Sequence, residues 1–215
     1  MNFFDWIASP RIFWKCLACA ITITVVITIG LKSFDNNRDQ IAINEIVSQP
    51  AKKPIGAVIE TDMGQIEFAF DNPDSVGVSV FTLLAQKGIY NGTRVHRIVE
   101  NFLMESGDPY SRDLNNKEYW GEGEIQFTFP DEIDPNLKMV RGVVAFSNRG
   151  PNTNNSSFFI LVADAPFLDN DYTVLGKVVS GMDIVDKITK QKVGLTGMPA
   201  REIKIQQINI FNQVI

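Results

Sequence analysis

The sequence VHRIVENFLMESGD, from Val95 to Asp108, carries the strongest indications of the fold. It contains His96, the only histidine of the chain, directly before Arg97. The short run that begins at Arg97 is typical of a β-strand, and the apolar pair Phe102–Leu103 indicates a second strand after a turn. If Arg97 and Phe102 lie on neighbouring strands, a fixed cation faces an apolar pocket. Such a pocket suits a neutral, apolar ligand that has one polar atom to be stabilised.

The composition is that of a globular protein. The chain has 215 residues, of which 45% are hydrophobic and 21% are charged. Its net charge of −5 and the lack of a basic stripe argue against nucleic acid as a partner. Both cysteines, Cys16 and Cys19, lie near the N-terminus, which excludes a disulfide framework and a cysteine metal site from the rest of the chain.

The N-terminal region contains an apolar segment, since no residue from Cys16 to Leu31 is charged. A bilayer-spanning helix needs about 20 apolar residues, and this segment reaches that length if residues 12–15 belong to it. A cleaved signal peptide and a buried strand are the alternatives, but no small-residue cleavage site comes after the run. We therefore predict a short tail over residues 1–11, a transmembrane anchor over 12–31, a polar tether over 32–54 and a folded domain over 55–215.

The orientation of the predicted anchor is almost balanced by charge, with Arg11 and Lys15 on one side and Lys32 and Arg38 on the other. A lone N-terminal segment commonly serves to export the domain behind it. We therefore expect a single-pass membrane protein with its folded domain outside the cytoplasm, on the periplasmic side in a bacterium.

The folded domain shows many short strands and only two convincing helices. A hairpin is predicted around Thr61–Gly64, and after it a helix that Asp74 or Ser75 caps and that ends near Gly88. A second helix is predicted from Gly181 to Thr189, and residues 110–123 have the composition of a long surface loop. The remaining strands are predicted over residues 143–147, 158–162, 174–179 and 202–211. This pattern predicts a mainly β domain with a closed or nearly closed antiparallel sheet.

Common catalytic signatures are missing from the sequence. No Gly-x-Ser-x-Gly elbow accompanies the single histidine, which argues against a serine hydrolase. The run Asp169–Asp171 begins like a calcium loop but lacks the glycine and the glutamate that complete one, so no metal is expected. The remaining candidate is Arg97 over an apolar pocket, although the pocket residues could equally be ordinary core. They are Phe102, Leu103, Phe159 and Leu168.

Several separated motifs together resemble the cyclophilin-type peptidyl-prolyl isomerases, in a bacterial-like and membrane-anchored form. The first motif is VHRIV at 95–99, with Phe102–Leu103 and Gly107–Asp108. The second is SNRGPNTN at 147–154, with SFFI after it at 157–160. FLD at 167–169, VLGKV at 174–178 and GMD at 181–183 continue the likeness in order and spacing. The resemblance covers about residues 55–215.

The resemblance implies a closed eight-stranded antiparallel barrel capped by two α-helices, here preceded by one transmembrane helix. It also implies an enzyme that accelerates rotation about X-Pro bonds and assists protein folding. That rotation has a barrier of roughly 18–20 kcal/mol and is slow without a catalyst. The family needs no cofactor or metal, because an arginine donor beside an apolar slot suffices. The implied partners are proline-containing polypeptides, and a monomer is expected.

The resemblance also implies roles for individual residues. Arg97 matches the catalytic arginine, and Asn148 matches a residue whose backbone binds the substrate chain. His96 matches a motif histidine that we interpret as structural, because a lone imidazole explains no proton transfer. The residues that match substrate-binding positions are Phe102, Leu103, Glu105, Ser147, Asn148, Ser157, Phe159, Phe167, Leu168 and Tyr172.

Glu105 is the departure from the family pattern that bears most on catalysis, because the family usually has a glutamine there. A carboxylate at this position can hold Arg97 more tightly but also occupies its donors. The sequence is therefore compatible with two hypotheses: a working isomerase, or a catalytically weak or inactive module that binds proline peptides on the same fold.

Other departures change the pocket and its rim. Leu103 replaces a methionine, Ser157 replaces a second glutamine, and Tyr172 replaces a histidine. Phe167 stands where many eukaryotic members have a tryptophan, which predicts weak cyclosporin sensitivity. Arg149 adds a charge at the rim.

Overall fold

The structure is a computed structural model that describes residues 52–122 and 127–214. The predicted anchor and most of the predicted tether lie outside these residues. Within residues 52–122 and 127–214, no helix has the length and apolar character that crossing a bilayer requires. Eight strands are present: β1 (Lys52–Thr61), β2 (Gly64–Phe70), β3 (Arg97–Val99), β4 (Leu103–Ser106), β5 (Val143–Phe146), β6 (Phe158–Leu161), β7 (Val174–Ser180) and β8 (Ile205–Val214).

The eight strands form one curled antiparallel sheet in the order β3-β4-β6-β5-β7-β2-β1-β8. The mainly β fold is confirmed, but the closed barrel is not matched, because no ladder joins the end strands β3 and β8. An isolated bridge between Arg94 and Lys204 brings the segments before these strands together. The edge of β3 that does not pair with β4 bonds to a loop, since Ile98 N donates to Gly197 O at 2.8 Å. A loop therefore occupies the edge that β8 would need.

Two α-helices accompany the sheet, as the sequence predicts: α1 (Val76–Gln86) and α2 (Met182–Thr189). Ser75 caps α1, because its side chain accepts a hydrogen bond from Val78 N at 3.0 Å. The other predicted cap, Asp74, instead pairs with Lys53. Gly181 precedes α2 with a φ of 87°, and a Cβ there would lie 2.3 Å from Gln65 O. Glycine is therefore required where β7 turns into α2.

An aromatic cluster links α1 to the sheet, with Phe81 at its centre. Phe81 is fully buried. Its ring centroid lies 5.6 Å from that of Phe68, 5.0 Å from that of Tyr90 and 5.7 Å from that of Phe158. Such edge-to-face and tilted contacts add to the apolar area that the cluster buries. They fix α1 against β2 and β6.

The segment predicted as a long surface loop is more ordered than expected. Two short 3₁₀ helices, Pro109–Arg112 and Leu114–Tyr119, occupy it. Asp108 is fully buried, and its carboxylate accepts hydrogen bonds from Tyr110 N and Gly121 N. Because one side chain holds both ends of the segment, it lies folded against the rest of the domain. A further 3₁₀ helix, Pro166–Leu168, carries Phe167.

Candidate active site

The β3–β4 hairpin places Arg97 and Glu105 side by side. Their Cα atoms are direct partners in the antiparallel register, so both side chains lie on one face. Arg97 Nη1 lies 3.2 Å from Glu105 Oε2. The Arg97 side chain is 46% exposed, whereas that of Glu105 is 17% exposed. The hairpin therefore exposes the Arg97 guanidinium to solvent, and the more buried Glu105 carboxylate pairs with it.

His96 is the second partner of Glu105. Its Nε2 lies 3.9 Å from Glu105 Oε1, a distance that allows an ion pair when His96 is protonated but is too long for a hydrogen bond. Burial opposes ionisation of Glu105, but the neighbouring His96, Ser147 and Arg97 outweigh it and lower the pKa of Glu105 to about 2. Glu105 is therefore a carboxylate at any physiological pH.

An apolar pocket opens beside Arg97, which we call the proline pocket. It has a volume of about 220 Å³. The Phe159 ring packs edge-on against Tyr172 at 5.1 Å, and the Phe102 ring lies 5.6 Å from Phe167. Phe167 is 71% exposed and forms part of the rim. The pocket is lined by Arg97, Phe102, Leu103, Glu105, Ser147, Asn148, Phe159, Phe167, Leu168 and Tyr172.

Polar groups stand at one side of the proline pocket. The Asn148 side chain is held by its own loop, because it donates to Asp171 O and accepts from Gly150 N. The backbone N–H and C=O of Asn148 have no hydrogen-bond partner within the described residues. Burial raises the pKa of Tyr172, and the charges of Asp171 and Glu105 raise it further. The Tyr172 hydroxyl is therefore a neutral donor, and the Asn148 backbone is available to a ligand.

One residue predicted for the site does not line the pocket. Ser157 is buried, its C=O accepts from Ser147 N at 2.8 Å, and its N–H donates to Asn155 Oδ1. It therefore supports Ser147 from behind the pocket. Every other residue predicted for the site from the sequence lines the proline pocket.

A second cavity lies on the other side of the Arg97–Glu105 pair, and the sequence does not predict it. It has a volume of about 480 Å³. Few local signals point to it, because Thr196 and Met198 lie about a hundred residues beyond Arg97 in the chain. The glycines at 194 and 197 indicate only a turn. The second cavity is lined by His96, Arg97, Glu105, Lys117, Glu118, Trp120, Gly121, Glu122, Thr196 and Met198.

The geometry suits the binding of a neutral ring beside a hydrogen-bond donor. The proline pocket has apolar walls, one exposed guanidinium and a free stretch of backbone. No group of three or more His, Cys, Asp or Glu side chains that could hold a metal occurs among the described residues. The chemistry that this site supports is the stabilisation of a polar atom next to an apolar ring.

The comparison with protein families identifies the class of protein. Residues 57–210 match the model of the cyclophilin type peptidyl-prolyl cis-trans isomerase/CLD family. This range spans most of the chain, and it includes all the strands and helices that line the site. The chain belongs to the cyclophilin-type peptidyl-prolyl cis-trans isomerases.

Named relatives agree with this family. Peptidyl-prolyl cis-trans isomerase-like 1 of Gibberella zeae is 35% identical over 158 residues, which cover 73% of this chain and 94% of that protein. The human peptidylprolyl isomerase domain and WD repeat-containing protein 1 is 34% identical over 195 residues, or 83% of this chain and 29% of that protein. These relatives are fungal and animal proteins, so they do not support the bacterial likeness expected from the sequence.

A solved structure is similar as well. The cyclophilin type peptidyl-prolyl cis-trans isomerase of Cryptosporidium parvum has 28% sequence identity and a TM-score of 0.66, covering 76% of this chain and 99% of that one. That isomerase has also been solved in the presence of the dipeptide Ala-Pro, with a TM-score of 0.65 to this chain. Together the family and its relatives establish a peptidyl-prolyl cis-trans isomerase.

Proposed function

We propose that Arg97 is the catalytic residue and that the proline pocket holds the substrate ring while the flanking peptide rotates. The barrier to this rotation is the resonance of the amide, which makes the C–N bond partly double. A donor that bonds the proline nitrogen as the bond twists weakens that resonance. The exposed Arg97 guanidinium beside a pocket of about 220 Å³ is the observation that carries this proposal.

Glu105 leaves Arg97 able to act. A guanidinium has five N–H donors, and only Nη1 of Arg97 bonds to the carboxylate. The other guanidinium nitrogens have no hydrogen-bond partner in the described part of the chain. We infer that Glu105 fixes the orientation of the guanidinium, which is the preorganisation that electrostatic catalysis requires.

The other lining residues then bind the substrate. Phe102, Leu103, Phe159 and Leu168 supply the apolar surface for the ring, and no charge enters this part of the pocket. The unpartnered backbone of Asn148 supports a role in bonding the extended substrate chain, as one strand bonds another. Phe167 and Tyr172 complete the rim, and Ser147 lines the same pocket as Glu105.

The test is the relaxation of an Ala-Pro peptide from cis to trans with the full-length protein in detergent. We expect the parent to accelerate it and Arg97→Ala to lower kcat/KM by about 10²–10³-fold, the loss typical of one preorganised donor. Arg97→Lys keeps the charge but lacks the planar fork and should recover little. Peptide binding without acceleration by the parent would instead indicate an inactive proline-binding module.

We also propose that residues 12–31 anchor the enzyme to a membrane, with its domain outside the cytoplasm as a monomer that assists folding. The uncharged run that ends at Leu31 supports this, and its length fits a bilayer. Membrane fractions washed with alkaline carbonate should retain the full chain but release a chain that lacks residues 1–31. Protease added outside intact spheroplasts or right-side-out vesicles should remove the domain. Release of the full chain by the wash would refute the anchor.

A further inference from the structure

The loop that carries Asn148 keeps its shape through hydrogen bonds more than through packing. It comprises residues 147–154 of the connection between β5 and β6, and we call it the Asn148 loop. Pro151 and Asn152 are exposed to solvent. The position of the Asn148 backbone therefore depends on the hydrogen bonds that tie the loop to the rest of the domain. An open space of about 430 Å³ lies along the loop, lined by Asp131, Asn148, Gly150, Pro151, Asn170, Asp171 and Tyr172.

Asp131 lies across from the Asn148 loop and bonds to it three times. Its Oδ2 accepts a hydrogen bond from Asn152 N at 2.7 Å, and its own backbone N–H donates to Asn152 Oδ1 at 3.0 Å. Its Oδ1 accepts a hydrogen bond from Asn154 Nδ2 at 2.8 Å. Asp131 precedes Asn152 by 21 residues in the chain. The three bonds therefore fasten the Asn148 loop to a separate segment of the domain.

Asn152 needs this support because its backbone has a φ of 62°. Few residues other than glycine adopt this conformation, although asparagine does so more readily than most. The side chain of Asn152 is exposed, so the core does not hold it in place. The reciprocal pair of hydrogen bonds with Asp131 therefore fixes the backbone of the loop four residues after Asn148.

Asn154 connects the Asp131 carboxylate to the interior of the domain. It is fully buried, and its Nδ2 also donates to Thr173 Oγ1 at 3.2 Å. Thr173 lies two residues after Asp171, whose C=O accepts a hydrogen bond from the Asn148 side chain. The loop is therefore held at Asn148 from one side and at Asn154 from the other.

Glu132, the residue after Asp131, is not free to replace it. Its Oε1 accepts a hydrogen bond from Val76 N at 2.9 Å, and its Oε2 accepts one from Gly77 N at 2.6 Å. These donors belong to the first turn of α1, where a helix leaves its N–H groups without partners of its own. The carboxylate that serves the Asn148 loop is that of Asp131.

We propose that Asp131 is a positioning residue of the isomerase, which sets the place of the Asn148 backbone and thereby the binding of the substrate chain. The inference rests on the proposed function of the proline pocket. Asp131 does not line that pocket, so its effect passes through the loop. The part of the substrate that bonds to Asn148 flanks the twisting amide and does not itself twist. Loss of Asp131 therefore weakens substrate binding and leaves the rotation of the bound peptide unchanged.

The first experiment measures kcat and KM of the full-length protein in detergent with an Ala-Pro peptide. We expect Asp131→Ala to raise KM by about three- to tenfold, the loss of roughly one hydrogen bond to the substrate, and to change kcat by less than about twofold. Asp131→Asn keeps one acceptor oxygen, so its KM should lie between those of the parent and Asp131→Ala.

The matched control is Asp134→Ala. The Asp134 carboxylate also accepts hydrogen bonds from a backbone N–H and an asparagine amide, but both belong to Asn136, outside the Asn148 loop. This variant should keep the KM and kcat of the parent.

The second experiment separates a positioning role from a general loss of structure. An ester replaces each backbone amide that flanks the Ala-Pro unit in turn, which removes one N–H donor from the peptide. In the parent and in Asp134→Ala, we expect one of these esters to raise KM by about three- to tenfold, because it removes the bond to Asn148. The same ester should raise the KM of Asp131→Ala by less than about twofold, since that bond is already lost.

An unchanged KM in Asp131→Ala would overturn the inference, as would a fall in kcat alone. An ester effect that is absent from the parent, or undiminished in Asp131→Ala, would overturn it as well. If far-UV circular dichroism shows that Asp131→Ala does not fold, Asp131→Asn takes its place with the same criteria. The proposed function is tested separately, because it fails if Arg97→Ala isomerises the peptide as fast as the parent, whatever Asp131→Ala does.

Discussion

Glu105 places a negative charge on the β3–β4 hairpin, where the family resemblance implies a glutamine. The carboxylate is held between His96 and Arg97, and the low pKa of about 2 keeps it ionised. An ionised partner fixes the guanidinium but also offsets its positive charge. The effect of this negative charge on turnover can be measured with a neutral substitution of Glu105.

We predict that Glu105→Gln isomerises an Ala-Pro peptide at least as fast as the parent. The amide still accepts a hydrogen bond from Arg97, but it no longer offsets the charge that polarises the substrate. The measurement is kcat/KM of both proteins, with Glu100→Gln as a control at an exposed residue that lines neither cavity. A large fall in kcat for Glu105→Gln alone would show that the negative charge itself is needed.

Glu105 should also make stability depend on pH in a defined window. Its pKa is about 2 in the folded protein, below the ordinary value of 4.5. A lowered pKa stabilises the fold above the unfolded pKa, and this contribution disappears as the pH falls through the folded pKa. Such a shift corresponds to on the order of 3 kcal/mol at neutral pH. Urea unfolding of the parent and Glu105→Gln should therefore converge as the pH falls from about 5 to about 2. A difference in unfolding free energy between the two proteins that stays constant with pH would contradict the lowered pKa of Glu105.

At the scale of residues, the sequence predicts the proline pocket well and the second cavity not at all. Arg97, Phe102 and Glu105 lie within one short stretch, where strand alternation and a shared motif place them together. The second cavity depends on Met198, which reaches Arg97 only because Gly197 bonds the edge of β3. A contact between distant parts of the chain leaves no local pattern in the sequence.

At the scale of elements, the 3₁₀ segment after β4 forms a wall of the second cavity although its composition is that of a loop. Its order comes from Asp108, a single buried carboxylate that accepts two backbone hydrogen bonds. Sequence patterns predict Ser75 and Gly88 at the ends of α1 because caps are local. The sequence around Asp108 indicates only a turn, since its second partner, Gly121, lies outside that turn.

We predict that Asp108→Ala loosens this wall while the sheet stays folded. Removing the carboxylate leaves Tyr110 N and Gly121 N without their acceptor, and each lost bond costs about 1–3 kcal/mol. Their amide protons should exchange at least about tenfold faster. Asp113→Ala is the control, because its side chain caps Asn115 N but does not contact Gly121. Unchanged amide exchange at Gly121 would show that the Asp108 carboxylate does not hold this segment in place.

At the scale of the whole molecule, the open sheet needs contacts that hold its two ends together. The motifs imply a closed barrel, but β3 is only three residues long, and its second edge bonds to the loop at Gly197 and not to a strand. The two ends meet instead through backbone hydrogen bonds between residues 92–95 and 203–205, and Arg94 lies within this contact, where it forms the bridge with Lys204. Its side chain is 10% exposed.

Arg94 joins three parts of the domain at this open side of the sheet. Its Nη1 donates to Ser111 O at 2.6 Å and to Arg112 O at 2.8 Å, and its Nε donates to Glu202 at 3.0 Å. Both carbonyls belong to the end of the first 3₁₀ helix, and Glu202 precedes β8. A guanidinium has the fixed geometry to serve several acceptors at once, which an ammonium lacks.

We predict that Arg94→Met lowers the free energy of unfolding by about 2–4 kcal/mol, because it leaves the carbonyls of Ser111 and Arg112 without their donor. Glu202→Gln should cost less than about 1 kcal/mol, since the Glu202 side chain is 41% exposed and its ion pair is solvated. Urea denaturation of both variants, with far-UV circular dichroism to confirm the fold, measures the two values. Equal losses of unfolding free energy would show that the contribution of Arg94 comes from its ion pair with Glu202. A loss confined to Arg94→Met would show that it comes from the carbonyl contacts to the 3₁₀ segment.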